Sequence, residues 1–359
     1  MLKRLNVYID QSDPAAAVRL SHALRYEKSV NLVPASGGGM PEGELYEFLY
    51  DHAVDVVFAP SGAGEIPHYL KEQGYNPKIL APSRDALTAV RSLVSGSNTG
   101  QGDHDYLVDC YTDFSGDLRY RLVQLVQQAE AALRVTPVLK APYEVEMLAD
   151  VLNVRYKPRG GWYFRATKVD GGELRLASLN LSGLDGASLS RLRGANFPAL
   201  MLFEVMGHDI GFLLQKDLPC SALFDEAGVH VSASPEHDRV FFDLDDTLII
   251  HGQVNPEAIS FLQRCRENKK PVTLITRHYR EPGITLAEFG IDPALFSQMV
   301  WITDGSSKAS HIPPDARAIF VDDAYKERLD VAANSACAVF APDAIPALQG
   351  GIMQELFLR

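Results

Sequence analysis

The chain has 359 residues, of which 46% are hydrophobic and 22% charged, with a formal net charge of -12 and a mean hydropathy near zero. That length exceeds one ordinary core and predicts two or three domains. The acidic balance excludes a general nucleic-acid binder, which carries a basic face. No run of eighteen apolar residues occurs, so no membrane span is expected. The N-terminal stretch Met1 to Asp10 runs directly into a strand pattern without an apolar leader, and the cytoplasm is the expected location. The four cysteines, Cys110, Cys220, Cys265 and Cys337, are far apart and form no CxxC pair, which predicts neither a zinc site nor a disulfide framework.

In chain order, the first 86 residues alternate short apolar strands with helical stretches. Strands are expected at 5–9, 30–34, 54–60 and 78–81, with helices at 15–26, 42–53 and 66–73. Pro67 falls in the first turn of the last of these, where proline is tolerated. This order predicts a small parallel βαβ domain. The polar, glycine-rich run from Ser95 to Gly102 reads as a loop. Beyond it the pattern becomes α+β. Strands are expected at 105–114 and 118–125 around a turn at Ser115-Gly116-Asp117, and at 162–168 and 174–181 around Asp170-Gly171-Gly172. Helices are expected at 144–153 and 197–206. Residues 225–239 are polar and read as a linker or a strand crossing between domains. From Val240 the βαβ rhythm resumes, with strands at 240–243, 271–275, 299–302, 318–322 and 337–340.

The last region carries the chemistry. An apolar strand delivers Asp243 and Asp245, then Thr247. Residues spaced by two share one face of a strand, so the two carboxylates converge at its carboxyl end, where open α/β sheets bind ligands. An aspartate in such a place can attack phosphorus. A magnesium ion would offset the repulsion between the aspartate and a phosphate, and a second carboxylate can protonate a leaving alkoxide. Thr276 ends a second apolar strand and can bind a phosphate oxygen. Lys308 stands near an expected helix start, suited to neutralising phosphate. Asp322 and Asp323 end a third apolar strand and are suited to completing a metal site. Arg277, His278 and Arg280 follow Thr276 and are placed at the mouth, Arg277 as a further phosphate-binding candidate.

These stretches resemble the four motifs of the haloacid-dehalogenase-like (HAD) superfamily, over about residues 237–359. The resemblance implies a Rossmann-like domain with Asp243 as nucleophile and metal ligand. It implies Asp245 as general acid/base with its backbone carbonyl on magnesium. Thr276 and Lys308 would hold phosphate, with Asp322 and Asp323 in the metal shell. Only 32 residues separate Asp243 from Thr276 and 31 separate Thr276 from Lys308, too few for a cap domain, so a capless phosphatase is expected.

The preceding regions resemble the ATP-grasp ligases of the carbamoyl-phosphate-synthase-like group. The resemblance rests on the strand Tyr106 to Asp113, the stretch Leu179 to Gly183, and Gly194 to Leu200. The family's Glu-x-Asn-Pro-Arg stretch here reads Ser178-Leu179-Asn180-Leu181-Ser182, without the metal-binding carboxylate, and residues 82–104 are too short for the usual lid. A degenerate ATP-grasp-like region without ATP-dependent ligase activity is therefore expected.

The chain is thus expected to be α/β with three parts: a parallel βαβ domain over 1–86, an α+β ATP-grasp-like domain over 87–236, and a HAD-like phosphatase domain over 237–359. The expected function is magnesium-dependent hydrolysis of a phosphorylated small metabolite through an aspartyl-phosphate, the N-terminal region giving recognition or a lid. Two alternatives stand beside it. One is a bifunctional or ATP-dependent ligase-type enzyme with a nucleotide-binding N-terminal region; the other is a non-enzymatic scaffold. The expected partner is a phosphorylated small molecule, with no nucleic acid and no membrane, and a homo-oligomer stays open.

Overall fold

The computed structural model describes residues 5–9, 17, 24, 30–33, 45, 48–49, 51–58, 68–72, 74–75, 77–80, 104–129, 132–169, 173–181, 188–208, 210, 218–225, 228–349 and 352–353. Its first sheet is parallel and consists of β1 (Leu5–Ile9), β2 (Val30–Leu32), β3 (Val56–Phe58) and β4 (Lys78–Leu80), ordered β2-β1-β3-β4. Val7, Val56 and Phe58 have no exposed surface, as the continuous apolar runs of a parallel sheet require. The short helix α1 (His68–Glu72) precedes β4. The expected helices at 15–26 and 42–53 fall largely outside the described residues, as do the 95–102 loop and the 170–172 turn.

The second sheet is antiparallel. Its strands β5 (His104–Thr112), β6 (Leu118–Ala129) and β7 (Ala132–Pro137) are followed by the helix α2 (Tyr143–Tyr156) and then by β8 (Gly160–Lys168) and β9 (Leu174–Asn180). Side chains alternate between two covered faces. Val108, Cys110, Trp162 and Phe164 pack with Val145, Ala149 and Leu152 of α2. Tyr111, Tyr120 and Leu122 pack on the other face with residues of α3 (Ser188–Leu192) and α4 (Phe197–Val205). The strands β10 (Cys220–Asp225) and β11 (Gly228–Ala233) extend this sheet. Residues 225–239 are thus more than a linker, since Val229-His230-Val231-Ser232-Ala233 carries the period-2 alternation of a strand. Val231 and Ala233 are buried.

The third sheet is parallel and places the site. After β12 (Arg239–Phe242) comes a small hairpin of β13 (Ile249–Ile250) and β14 (Gln253–Val254), then α5 (Pro256–Glu267), β15 (Val272–Thr276), α6 (Pro282–Glu288) and β16 (Gln298–Trp301). The chain then crosses to β17 (Ala318–Val321), α7 (Tyr325–Asn334), β18 (Ala338–Phe340) and α8 (Ile345–Leu348). The strand order is β16-β15-β12-β17-β18. The five strands lie within one residue of the expected positions. The last strand, β19 (Ile352–Met353), returns to pair with β11, giving an eight-stranded sheet ordered β19-β11-β10-β7-β6-β5-β8-β9. Among the described residues no helix is long and apolar enough to cross a membrane.

Candidate phosphate and metal site

The chain leaves β12 toward β15 on one side and later returns to β17 on the other, so the order of connection reverses between β12 and β17 while the strands stay parallel. Ligands bind in open α/β sheets at the carboxyl ends of the strands flanking such a reversal. Asp243 follows β12 directly and Asp322 follows β17 directly, and the Asp243 amide donates to the Val321 carbonyl at 3.0 Å. The apolar strands are buried to their ends: Val240, Phe242, Ile319, Phe320 and Val321 expose at most 1% of their surface. Burying those runs carries the polar residues just beyond them to one sheet edge.

At that edge Lys308 sits between two carboxylates. Its Nζ lies 2.6 Å from Asp243 Oδ1 and 2.6 Å from Asp322 Oδ2. All three residues are buried, Asp322 completely. Carboxylate oxygens of Asp243, Asp322 and Asp323 lie within 4.8 Å of one another. Lys308 opens a 3-10 turn, Lys308–His311, capped by the Ser307 hydroxyl, which accepts from the Ser310 amide at 3.2 Å. The Asp322 carboxylate also accepts from the Ala324 amide at 2.8 Å, and Arg328 of α7 donates to the carbonyls of Asp322 and Asp323 at 2.6 and 2.7 Å. Asp323 is tied to the first loop as well, its amide donating to the Thr247 hydroxyl at 3.1 Å. Asp246, with φ +52°, turns that loop back toward the sheet in the left-handed conformation that aspartate tolerates better than most residues.

Charge explains what this arrangement can hold. Three carboxylates and one ammonium leave a formal -2, with Asp243, Asp322 and Lys308 buried and Asp323 half-buried. Burial, and next the charge of Asp322, push the Asp243 carboxyl well above the usual carboxylate range against the pull of Lys308. Burial raises Asp322 too, again against Lys308. Burial works against the Lys308 ammonium, but Asp243 and Asp322 outweigh it and hold its pKa above the ordinary value. A divalent cation with a preference for oxygen would neutralise the surplus, and the donor set suits magnesium. The residues present therefore fit a magnesium ion.

The remaining expected residues separate into two groups. Thr276 ends β15 with no exposed surface, and its hydroxyl accepts from the His278 amide at 3.1 Å. Asp245 is half exposed and turned to the mouth, where both its oxygens lie 2.8–2.9 Å from His278 Nδ1. His278 Nε2 contacts the Thr285 hydroxyl at 2.8 Å, which fixes the ring between α6 and Asp245. Arg277 does not join Lys308: its Nε donates to Glu327 of α7 at 3.1 Å. Sequence reasoning placed His278 at the mouth but missed its bond to Asp245, and it missed Arg328 altogether. The only signal for Arg328 was a basic residue one turn into a helix that follows an acidic strand end.

Comparison with known proteins corrects part of the sequence reading. No protein-family profile matches the chain, and no curated protein matches it. Among solved structures, it resembles the N5-carboxyaminoimidazole synthase of Aspergillus clavatus in complex with ADP and 5-aminoimidazole ribonucleotide. The identity is 13%, over 62% of this chain and 82% of that one, with a TM-score of 0.41. It resembles the N5-carboxyaminoimidazole ribonucleotide synthetase of Thermus thermophilus at 10% identity, over 61% and 82%, with a TM-score of 0.42. The biotin carboxylase domain of the Hydrogenobacter thermophilus 2-oxoglutarate carboxylase is similar at 8% identity, over 61% and 73%, with a TM-score of 0.40. This chain has a mixed α/β fold with ATP-grasp-like neighbours.

These neighbours are ATP-grasp ligases and not HAD phosphatases. The expected membership of the HAD superfamily is corrected, and with it the hydrolase, the HAD-type phosphatase and the aspartyl-phosphate route through Asp243. The physical reason is that any parallel sheet gathers its strand-end residues at one edge. A few acidic residues there select a kind of ligand without selecting a family or a reaction.

Proposed function

We propose that this chain is a magnesium-dependent enzyme whose site at the ends of β12 and β17 binds the phosphate of a small-molecule ligand, and that its reaction is of the nucleotide-dependent, ligase type. The observation that carries the reading is the set of buried Asp243, Asp322 and Lys308 with half-buried Asp323 beside them, and its formal -2 charge. A magnesium ion held there would offset the charge between these carboxylates and the ligand's phosphate oxygens. Lys308 would share a phosphate oxygen once magnesium draws the carboxylates away from it. The Thr276 hydroxyl already accepts from the His278 amide, so its own proton is free to orient toward a phosphate oxygen. Asp245, steadied by His278, is the polar group at the mouth and would meet the part of the ligand beyond the phosphate. Arg277 would have to exchange Glu327 for the ligand to take part.

The ligase-type assignment has a demanding requirement, since β9 presents Ser178 where a metal-binding carboxylate is expected. The third sheet's carboxylates are then the proposed home for the magnesium that accompanies a nucleotide. Titration calorimetry with ATP tests this. The wild-type chain should bind ATP with magnesium and much more weakly with a chelator, and Asp322→Asn should abolish the difference. Wild-type protein that binds ATP equally with and without magnesium, or not at all, would contradict the reading.

A further inference from the structure

The helix α2 is apolar on two opposite sides. Its inner side, Val145, Ala149 and Leu152, is buried against the antiparallel sheet. Its outer side carries Tyr143, Met147, Val151 and Val154, exposed by 70%, 45%, 52% and 73%, and Leu139 just before the helix is exposed by 84%. At 3.6 residues per turn these four side chains fall in an arc of about 80° opposite the buried side. A surface helix ordinarily shows one apolar stripe and a polar back, and contiguous exposed apolar surface marks an interaction site.

The charges beside the stripe indicate what covers it. Glu144 lies in the first turn of α2 and Arg155 in the last, and both are exposed. They share one flank of the stripe, about 16 Å apart along the axis. Neither has an ion-pair partner among the described residues. Two copies of α2 packed antiparallel about a two-fold axis bring like flanks together with their ends exchanged. Glu144 of each copy then meets Arg155 of the other, forming two pairs, while Tyr143 and Val154 meet across the seam. Asp150, near the axis, is already answered by Arg121 of its own chain at 3.1 Å. The stripe and its flank are therefore self-complementary, as a two-fold interface requires.

We propose that the outer face of α2 is the contact surface of a homodimer in which two α2 helices pack antiparallel. This inference is independent of the magnesium site. Sedimentation velocity of the full chain over a concentration series tests it. The wild-type chain should show a monomer–dimer equilibrium, and Met147→Asp should leave only monomer with an unchanged circular dichroism spectrum. Glu144→Arg alone and Arg155→Glu alone should each weaken dimerisation roughly tenfold, since each replaces two attractive pairs with two repulsive ones. The double variant should recover wild-type association, and this charge series decides the matter even if Met147→Asp fails to fold. A wild-type chain that stays monomeric, because the face belongs to some other partner, overturns the proposal. So does a dimer insensitive to Met147→Asp, or a double variant no better than the single ones.

Discussion

Lys308 holds the candidate site together before any ligand arrives. It contacts two buried carboxylates that would otherwise face each other across a few ångströms. Removing one partner from a buried ion cluster leaves uncompensated charge, which costs about 3–5 kcal/mol. Lys308→Met should therefore lower the stability of the metal-free protein by roughly that amount, and magnesium should return part of it. Urea unfolding with and without magnesium measures both effects. A second residue-scale prediction concerns Cys265 on the inner side of α5. Burial pushes its thiol from 9.0 up to about 11. An acid whose pKa is raised by folding contributes stability that is fully present below its unfolded value and is lost as pH climbs through the folded one. Stability should thus fall between pH 9 and 11, and Cys265→Ala should flatten that part of the curve in denaturant melts.

At the scale of elements, the site depends on how α5 begins. Asn255 caps this helix by accepting from the Glu257 amide at 3.1 Å, and its own amide donates to the Thr247 carbonyl at 3.1 Å. One buried side chain thus starts a helix and braces the loop that carries Asp243 and Asp245. Asn255→Ala should cost about 1–2 kcal/mol, and it should also weaken magnesium binding, as calorimetry beside thermal melts would show. In the antiparallel sheet, Gly160 opens β8 at φ +76°, and an added Cβ would stand 2.5 Å from Met201 Sδ. Gly160→Ala combines left-handed strain with overlap on α4 and should destabilise the fold by about 1–3 kcal/mol, read from the urea midpoint.

These elements also show what a sequence can disclose. The three central strands of the third sheet, β12, β15 and β17, were legible because each is a mostly apolar, buried run closed by a polar residue: Asp243, Thr276 and Asp322. The strand β7 was missed because Val135 is its only buried residue, which leaves almost no alternation to read. The pairing of Arg277 with Glu327 spans 50 residues and depends on the crossover to β17. The bond between His278 and Asp245 spans 33 and depends on two neighbouring strands. Local patterns carry no such information. They located the acidic strand ends but did not settle which family or reaction those ends serve.

At the scale of the whole molecule, the C-terminal segment ties the sheets together. Arg264 of α5 donates to the Gln349 carbonyl at 2.5 Å, α8 packs on α5 and β11, and β19 completes the eight-stranded sheet. Arg191 of α3 reaches Asp343 of the C-terminal region at 3.4 Å. The proposed division near residue 236 therefore separates sheets that remain stitched by side chains and by the chain's own return. The central claim is that the edge between β12 and β17 holds a divalent cation. Manganese, which takes the same oxygen ligands as magnesium, offers the most direct test, through an anomalous difference map from crystals of the full chain grown with it. The account predicts one peak in contact with carboxylate oxygens of Asp243, Asp322 and Asp323, lost in Asp322→Asn; a map without a peak there, or a peak that survives that substitution, would contradict it.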